Sequence, residues 1–462
     1  MRFLERNSIL AILLLPGIFL VLVHFINSDP QAGSLGGFTL HKLDYRMPYG
    51  CTTILVGKDA TADQSVIVGH NEDMGTLSGR LLFQQKKTNQ EKNVKVNYST
   101  IPQVPRTYEY WAAGNSKPVA EKHYDGGWIL CGMNEFGVSI GCNTMSTRED
   151  RIPRGTGIMR YEIRKLILER SKTSRDAVSL VGQLIDMYSQ CDSPVAYCIA
   201  DRNEAWVVET TYRHWVAKRI PDDSYHVIAN QYTIETEWDS ASDDLVIYAI
   251  ERGWYDPEEG PFNFKYIYGD QKNLDQEINT SREFQGKFML NNKVRSITME
   301  DVLSVLSLPP IQTDGTQAYM IWHLRKNMPV EIGCVMWFGM CNANTGAAVA
   351  VYVGSSHSPE EYREASMEED SSSAWWLFKR LQKLIYPRWW EYSDKYLDVR
   401  KKLNRFQENV YKEQLKVEKK ALESWNQGNS DEAKEILSNF TSEKLATLLD
   451  EVRAILTSFS PT

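Results

Sequence analysis

Cys51-Thr52-Thr53-Ile54-Leu55-Val56-Gly57 is the stretch that decides the fold, because it joins a reactive side chain to an apolar strand. A polar turn, Lys58 to Gln64, and a second apolar strand, Ser65 to Gly69, follow it, and this order predicts a hairpin. The polar cluster His70-Asn71-Glu72-Asp73 comes directly after the second strand. We therefore expect polar side chains of the second strand to lie near Cys51.

The residues before Cys51 have the composition of a targeting segment. Arg2 and Arg6 precede a run of apolar or small residues, 9–26, that His24 alone interrupts. The pattern is that of a secretory signal, yet the run is near the length that spans a bilayer, and no clear A-x-A site follows. A signal peptide and a signal anchor both fit. Either one predicts that the bulk of the chain is secreted, lumenal or otherwise outside the cytoplasm.

A cut between Gly50 and Cys51 would make the cysteine the first residue of a mature chain. Its thiol would then be a nucleophile, and its freed α-amino group a base with a reference pKa of about 7.7–8.0. Gly50 would allow the close backbone approach that self-cleavage needs, and a separate protease would serve equally well. A cysteine that begins an apolar strand is also often a core residue, so position alone leaves both interpretations open.

Composition excludes some classes of function. The chain has 462 residues, 42% hydrophobic and 24% charged, with a net charge of −8, and no part of it is strongly basic. Nucleic acid is therefore not an expected partner. The cysteine count of seven is odd, which in an exported protein indicates a free thiol and leaves six for at most three bridges. Candidate glycosylation sequons begin at Asn97, Asn279 and Asn439.

The order of strand-like and helical patterns predicts an α+β fold built on antiparallel sheets. A helical pattern runs over Ile158–Ser189, with a break near Lys172 and a new start at Thr173 or Ser174. Tyr98–Asp125 lacks a clear period and is predicted as loop, while Gly333–Gly339 and Ala347–Gly354 form a late hairpin. The expected organisation is a leader and propeptide over 1–50, a catalytic domain over 51–370 and a charge-rich helical extension over 371–462.

Several blocks resemble the dipeptidase D-like family of N-terminal nucleophile cysteine hydrolases, which is related to secernins, choloylglycine hydrolases and penicillin V acylases. They cover nearly all of the chain from Cys51 onward: 51–63, 69–73, 132–138, 199–206, 215–219, 227–231 and 373–376. The resemblance implies a four-layer αββα sandwich with a C-terminal helical extension. It also implies hydrolysis of dipeptides through an acyl-enzyme on Cys51, with no metal and no cofactor.

The resemblance also implies roles for single residues. Cys51 is the nucleophile and Asp73 holds its amine, although Asp73 also fits an exposed loop carboxylate. Asn143 and Asn230 correspond to positions that contact the oxyanion or the amine, and they also fit turn or capping asparagines. Arg282 completes the site, with Arg295 the weaker candidate.

His70 and Asn71 are candidate substrate-binding residues. The family often has arginine where this chain has His70, which weakens any assignment of substrate-carboxylate binding there. Asn71 fits a residue that orients its neighbours and fits a turn residue equally well. No HExxH motif or second histidine cluster supports His70 as a metal ligand with Asp73, so the sequence predicts no metal site.

Three functions remain open from the sequence. The leading one is dipeptide hydrolysis, with small peptides as substrates. An acylase that cuts a non-peptide amide is the alternative within enzymes, and a non-catalytic secernin-like protein of the secretory pathway is the alternative outside them. Membrane contact is expected only through an uncleaved leader, and a homo-oligomer remains compatible with the sequence.

Overall fold

A computed structural model of the chain describes residues 50–75, 78–115, 128–366, 368–385 and 394–459. These residues belong to one compact unit, Met47–Thr462. The apolar run over 9–26 lies outside the described residues, so the expected signal or anchor stays a prediction. Within the described ranges, no helix combines the length and the apolar character that a membrane span requires.

Strands and helices alternate in blocks along the chain. The strands are β1 (Thr52–Val56), β2 (Val66–Asp73), β3 (Gly79–Gln84), β4 (Lys87–Thr88), β5 (Asn93–Val96), β6 (Ser99–Pro102), β7 (Arg106–Thr107), β8 (Tyr110–Asn115), β9 (Ile129–Asn134), β10 (Ser139–Thr144), β11 (Val195–Ala200), β12 (Ala205–Thr210), β13 (Trp215–Ile220), β14 (Tyr225–Ile228), β15 (Ser240–Ala241), β16 (Thr316–Leu324), β17 (Cys334–Met340) and β18 (Val349–Tyr352). The helices are α1 (Arg160–Arg170), α2 (Ser174–Tyr188), α3 (Leu245–Glu251), α4 (Phe264–Tyr268), α5 (Glu277–Leu290), α6 (Met299–Leu306), α7 (Val330–Gly333), α8 (Glu360–Arg363), α9 (Ala374–Ile385), α10 (Asp394–Asn426) and α11 (Ser430–Thr457). The chain is thus a mixed helix and sheet protein.

One antiparallel sheet carries Cys51. Its strand order is β14-β1-β2-β16-β17-β18. The predicted hairpin is confirmed, with Thr53 opposite His70 and Ile54 opposite Gly69. Every residue of β1 and of β2 is buried, including the polar residues 70–73, which end β2 instead of following it. Because β1 lies between β14 and β2, Cys51 stands at the beginning of an interior strand.

A second antiparallel sheet has the strand order β15-β13-β12-β11-β10-β9-β8-β3. Apolar residues of α1 and α2 pack on it and form a hydrophobic core with β8 to β13. The predicted break between the two helices is confirmed. Helix α1 ends at Arg170, and Thr173 caps α2 through a reciprocal pair of hydrogen bonds with Asp176.

The two sheets contact each other directly near the start of β1. The Thr53 hydroxyl on β1 donates to Asn143 Oδ1 on β10 at 2.5 Å. A Cβ added to Gly141 would lie only 3.3 Å from the ring of His70, so the glycine gives β10 its close approach to β2. Side chains of both sheets therefore converge around Cys51.

The helical tail packs against strands β17 and β18 of the first sheet. Helix α10 contributes Glu418, whose two carboxylate oxygens each accept a 2.7 Å hydrogen bond from Arg325, just past the end of β16. Helix α11 contributes Thr441, whose hydroxyl donates to the carbonyl of Ala350 on β18 at 2.8 Å. The expected helical character of the tail is confirmed, whereas the domain boundaries stay predictions.

The loop predicted over Tyr98–Asp125 is wrong in its described part, 98–115. Strands β6, β7 and β8 occupy it, and β8 pairs with β3 on one side and β9 on the other. All six residues of β8 are buried, so the strand shows none of the polar–apolar alternation that marks a half-exposed strand. The predicted late hairpin is confirmed by the pairing of β17 with β18. All seven cysteines are free.

Candidate active site

The backbone of Cys51 is held from two sides. Its carbonyl oxygen accepts hydrogen bonds of 2.9 Å from Asn143 Nδ2 and from Arg282 Nη1. Continuing the β1–β2 register by one residue places Cys51 opposite Glu72, and its Sγ lies 3.8 Å from Glu72 Oε1. The residue is only 5% exposed. Its thiol is thereby fixed against a carboxylate between the two sheets.

The surroundings keep this thiol protonated while Cys51 remains joined to Gly50. Burial raises the pKa of the Cys51 thiol well above its usual value, and the carboxylates of Glu72 and Asp73 raise it further. A hydrogen bond from the Asp73 backbone acts in the opposite direction and is weaker. A free α-ammonium group on the same residue would favour the thiolate, because an adjacent positive charge stabilises the anion.

Asn143 links three strands at the site. Its Nδ2 donates to the carbonyl oxygens of Cys51, Ile228 and Ala229 at 2.9, 3.1 and 3.0 Å. Three carbonyl partners fix the orientation of the amide, so its Oδ1 must accept, as it does from Thr53. Asn143 is fully buried. The structure thus brings this predicted residue to Cys51 and commits its donor group to backbone carbonyls.

Arg282 lies on α5 and joins Gly50 to two asparagine side chains. Its guanidinium donates to the Gly50 carbonyl, to Asn230 Oδ1 at 3.0 Å and to Asn279 Oδ1 at 2.6 Å. Asn230 is half-buried, and its Nδ2 donates to the Thr144 carbonyl at 2.8 Å. Both predicted residues therefore meet at the bond before Cys51.

The weaker candidate, Arg295, lies elsewhere. It is exposed, and its backbone has a left-handed φ of 75°. Of the two candidate arginines, Arg282 is the one that contacts Gly50 and Cys51.

Asp73 ends β2 and uses one of its two carboxylate oxygens in a hydrogen bond. Its Oδ2 accepts from the Thr313 hydroxyl at 3.1 Å, whereas its buried Oδ1 has no hydrogen-bond partner among the described residues. Burial raises the pKa of Asp73 to about 6, although the neighbouring hydroxyls of Thr316 and Thr313 and the charge of Arg282 oppose that rise. An unpartnered carboxylate oxygen at this place is suited to receive an ammonium group.

The two candidate substrate-binding residues are buried. Asn71 Nδ2 donates to the carbonyl oxygens of Leu306 and Ile311 at 3.0 and 3.3 Å. His70 is bonded through Nδ1 to Thr53 Oγ1 at 2.8 Å and through Nε2 to Glu72 Oε2 at 3.1 Å. Their role in binding substrate stays a prediction.

Sequence reasoning gave no role to Glu72, Thr53 or Asn279. The period of two in β2 places His70 and Glu72 on one face of the strand, and this signal could have revealed Glu72. Asn279 was identified only as a sequon, yet the residue is 4% exposed and its side chain is bonded to Arg282. In the described residues, the group able to hold a metal ion is Cys51, His70 and Glu72, with ligand atoms within 4.8 Å of one another.

The chain is similar to known peptidases. The family described as peptidase family C69 matches residues 50–309 and 301–402. A probable dipeptidase B from Lactococcus lactis is 27% identical over 394 residues, which are 73% of this chain and 81% of the relative. A probable dipeptidase A from Streptococcus pyogenes serotype M18 is 25% identical over 398 residues, 74% of this chain and 83% of the relative.

Among solved structures, a mutant conjugated bile acid hydrolase from Clostridium perfringens is 15% identical, with a TM-score of 0.40, over 70% of this chain and 98% of its own. Penicillin V acylase from Agrobacterium tumefaciens is 14% identical, with a TM-score of 0.40, over 65% of this chain and 86% of its own. The family match runs from the residue before Cys51 through both sheets and into the helical tail. The chain therefore belongs to peptidase family C69.

Proposed function

We propose that the chain is a cysteine dipeptidase whose active site forms when the bond between Gly50 and Cys51 is cut. Family membership and the dipeptidase relatives support this activity. The observation that carries it is the position of Cys51, with its carbonyl held by Asn143 and Arg282 and its thiol 3.8 Å from a carboxylate.

The proposed reaction has two halves. The Cys51 amino group takes the thiol proton, and the sulfur attacks the carbonyl carbon of the dipeptide to form a tetrahedral intermediate. The C–N bond then breaks, the amine leaves with that proton, and an acyl-thioester remains on the sulfur. Water attacks the thioester after giving a proton to the same amino group, and the second amino acid leaves as the thiol is restored.

The remaining residues take distinct roles in this proposal. Asn143 positions the nucleophile, because its donor group is already committed to three backbone carbonyls. Asn230 is half-buried beside Arg282, and a turn of its amide away from Thr144 would present a donor to the developing oxyanion. The free Oδ1 of Asp73 receives the Cys51 ammonium and holds it in place.

We extend the proposal to the finer architecture and to maturation. The contacts of α1 and α2 with one sheet and of α6 with the other favour a four-layer αββα arrangement. Residues 1–50 would act as an export leader and propeptide, and the uncut chain would be a zymogen because its thiol stays neutral and its amine is an amide.

Intact-mass analysis of the natural protein and of a Cys51→Ala variant, followed by a dipeptide panel, tests this function. We expect a mature chain that begins at Cys51, dipeptide hydrolysis by the wild type and none by the variant. A wild-type chain that starts at Cys51 and cleaves long-chain N-acyl amides while ignoring dipeptides would replace the proposal with the acylase. A chain inert toward both classes would favour a non-catalytic role.

A further inference from the structure

The protons around His70 can be placed one bond at a time. Asn143 must present its Oδ1 to Thr53, because its Nδ2 already donates to three carbonyls. The Thr53 hydroxyl therefore donates its only proton to Asn143 Oδ1, at 2.5 Å. The 2.8 Å contact between Thr53 Oγ1 and His70 Nδ1 then requires the proton on Nδ1.

This assignment leaves Nε2 of a neutral His70 without a proton. That atom faces Glu72 Oε2 at 3.1 Å, and the ring and the carboxylate are both buried. Two lone pairs at this distance repel each other unless a positive species lies between them. A proton or a metal cation between His70 Nε2 and Glu72 Oε2 would remove this repulsion.

The Cys51 thiol completes a set of three ligands around the same point. Its Sγ is 3.8 Å from Glu72 Oε1, and the three ligand atoms lie within 4.8 Å of one another. A tetrahedral zinc ion with bonds of about 2.0–2.3 Å holds neighbouring nitrogen, oxygen and sulfur ligands roughly 3.3–3.8 Å apart. A thiolate and a carboxylate together balance the charge of a divalent cation, and the Nδ1–H bond to Thr53 would fix the ring orientation, as an outer hydrogen bond does for a metal-bound histidine.

We propose that Cys51, His70 and Glu72 form a binding site for one thiophilic divalent cation of the Zn²⁺ class, which reversibly blocks the nucleophile. The cation replaces the Cys51 thiol proton and any proton on His70 Nε2, and these protons pass to solvent. It leaves a fourth position open. This cation is an inhibitor and not a cofactor, and because its ligands include the proposed nucleophile, its inhibitory effect rests on the proposed function. Binding itself does not.

The cut before Cys51 controls access to this site. Gly50 is buried, and a Cβ at that position would lie 2.8 and 2.9 Å from the two terminal nitrogens of Arg282. We therefore expect the cation to reach the thiol more readily in the mature chain than in the uncut one. His70 is the nitrogen ligand of the group, so the site depends on this residue.

Titration of the purified protein with Zn²⁺ and with Co²⁺ tests the proposal, with Mg²⁺ as the oxygen-preferring control. We expect one Zn²⁺ per chain, protection of Cys51 from iodoacetamide measured by peptide mass mapping, and reversal by a chelator. Bound Co²⁺ should show cobalt–thiolate absorption and shifted NMR signals from one histidine ring. None of these readouts requires peptide hydrolysis, so they stay informative if the dipeptidase activity is absent.

Three variants distinguish metal binding by all three ligands from metal binding by the Cys51 thiol alone. His70→Gln and Glu72→Gln should each weaken Zn²⁺ binding by more than the roughly 10–100-fold that losing an outer contact costs. His214→Gln is the matched control, because His214 also forms a buried pair, with Glu149 at 2.6 Å, and belongs to no three-ligand group in the described chain. It should leave binding unchanged.

Equal Zn²⁺ affinity in wild type and His70→Gln would overturn the proposal and assign the metal to the cysteine alone. Absence of cobalt–thiolate absorption from the wild type would overturn it without any variant. If His70→Gln fails to fold, as judged by circular dichroism, His70→Arg tests the same ligand, because arginine can pair with Glu72 and cannot bind the metal.

Discussion

Replacing Asn143 by alanine tests whether the bridge between the sheets positions the nucleophile. The change removes one side chain that donates to Cys51, Ile228 and Ala229 and accepts from Thr53. Arg282 still donates to the Cys51 carbonyl, so that oxygen keeps one partner. The carbonyls of Ile228 and Ala229 lose this donor, and the Thr53 hydroxyl loses its acceptor but keeps its hydrogen bond with His70 Nδ1.

The expected loss of stability follows from the number of these hydrogen bonds. Each buried hydrogen bond contributes about 1 kcal/mol net, and each group left unpaired costs about 1–3 kcal/mol. We expect Asn143→Ala to lower the free energy of unfolding by about 3–4 kcal/mol. A shift of roughly 1 Å in the nucleophile costs on the order of 100-fold in rate, so kcat/KM for a good dipeptide should fall by about that factor.

Asn134→Ala is the matched control. Asn134 is as buried as Asn143, and its amide also makes four hydrogen bonds, two donated to Leu168 and Ser171 and two accepted from backbone N–H groups. It lies at the β9–β10 turn and does not contact Cys51. We expect a similar loss of stability in urea unfolding with little change in kcat/KM at a temperature where both variants are folded.

Intact mass must first show that each variant begins at Cys51, so that activity is compared between mature chains. Equal kcat/KM in folded Asn143→Ala and Asn134→Ala would refute the positioning role and leave Asn143 a structural residue. A loss of stability below about 1 kcal/mol would refute the hydrogen-bond argument itself.

Three further predictions concern maturation, the tail and pH. Gly50→Val should slow the appearance of the mature chain at least about tenfold by mass spectrometry, because its side chain would overlap Arg282, and normal maturation would contradict the crowding argument. Arg325→Met should lower the free energy of unfolding by about 3–5 kcal/mol, because it leaves Glu418 as a buried charge without its guanidinium, and adding Glu418→Leu should restore part of that loss. Burial raises the pKa of Glu209 to about 7, from about 4.3 in an unfolded chain. Protonated Glu209 therefore stabilises the fold fully below about pH 4, and this stabilisation is lost as pH rises to about 7. Between about pH 4.5 and 8, the free energy of unfolding of the wild type should fall by about 3–4 kcal/mol relative to that of Glu209→Gln, as measured by urea unfolding.

Local signals were sufficient for several elements of the fold. The polar turn after Gly57 predicted the β1–β2 hairpin, and the predicted helix start at Thr173 or Ser174 agrees with α2, which Thr173 caps. Strand β8 was not predicted, because burial on both faces removes the alternation of polar and apolar residues that identifies a strand.

Cys51 could be proposed from its own position, but the residues around it could be predicted only through the resemblance. Asn143 and Arg282 lie 92 and 231 residues from Cys51 along the chain, and no local pattern relates residues so far apart. Glu72 and Thr53 resembled ordinary strand residues, because their importance comes from the approach of β10 to the hairpin. The pairing of His70 with Glu72 instead of Asp73 depends on which face of β2 each side chain occupies.

The burial of Asn279 has a consequence for how the protein can be produced. Asn279-Thr280-Ser281 is an acceptor sequence for N-linked oligosaccharide, which is attached to nascent chains in the eukaryotic secretory route. In the folded protein the same amide donates to the Asn230 carbonyl and accepts from Arg282. A sugar attached there before folding would keep α5 from docking beside Cys51, so a host that glycosylates this tripeptide should yield chains that cannot assemble the catalytic centre.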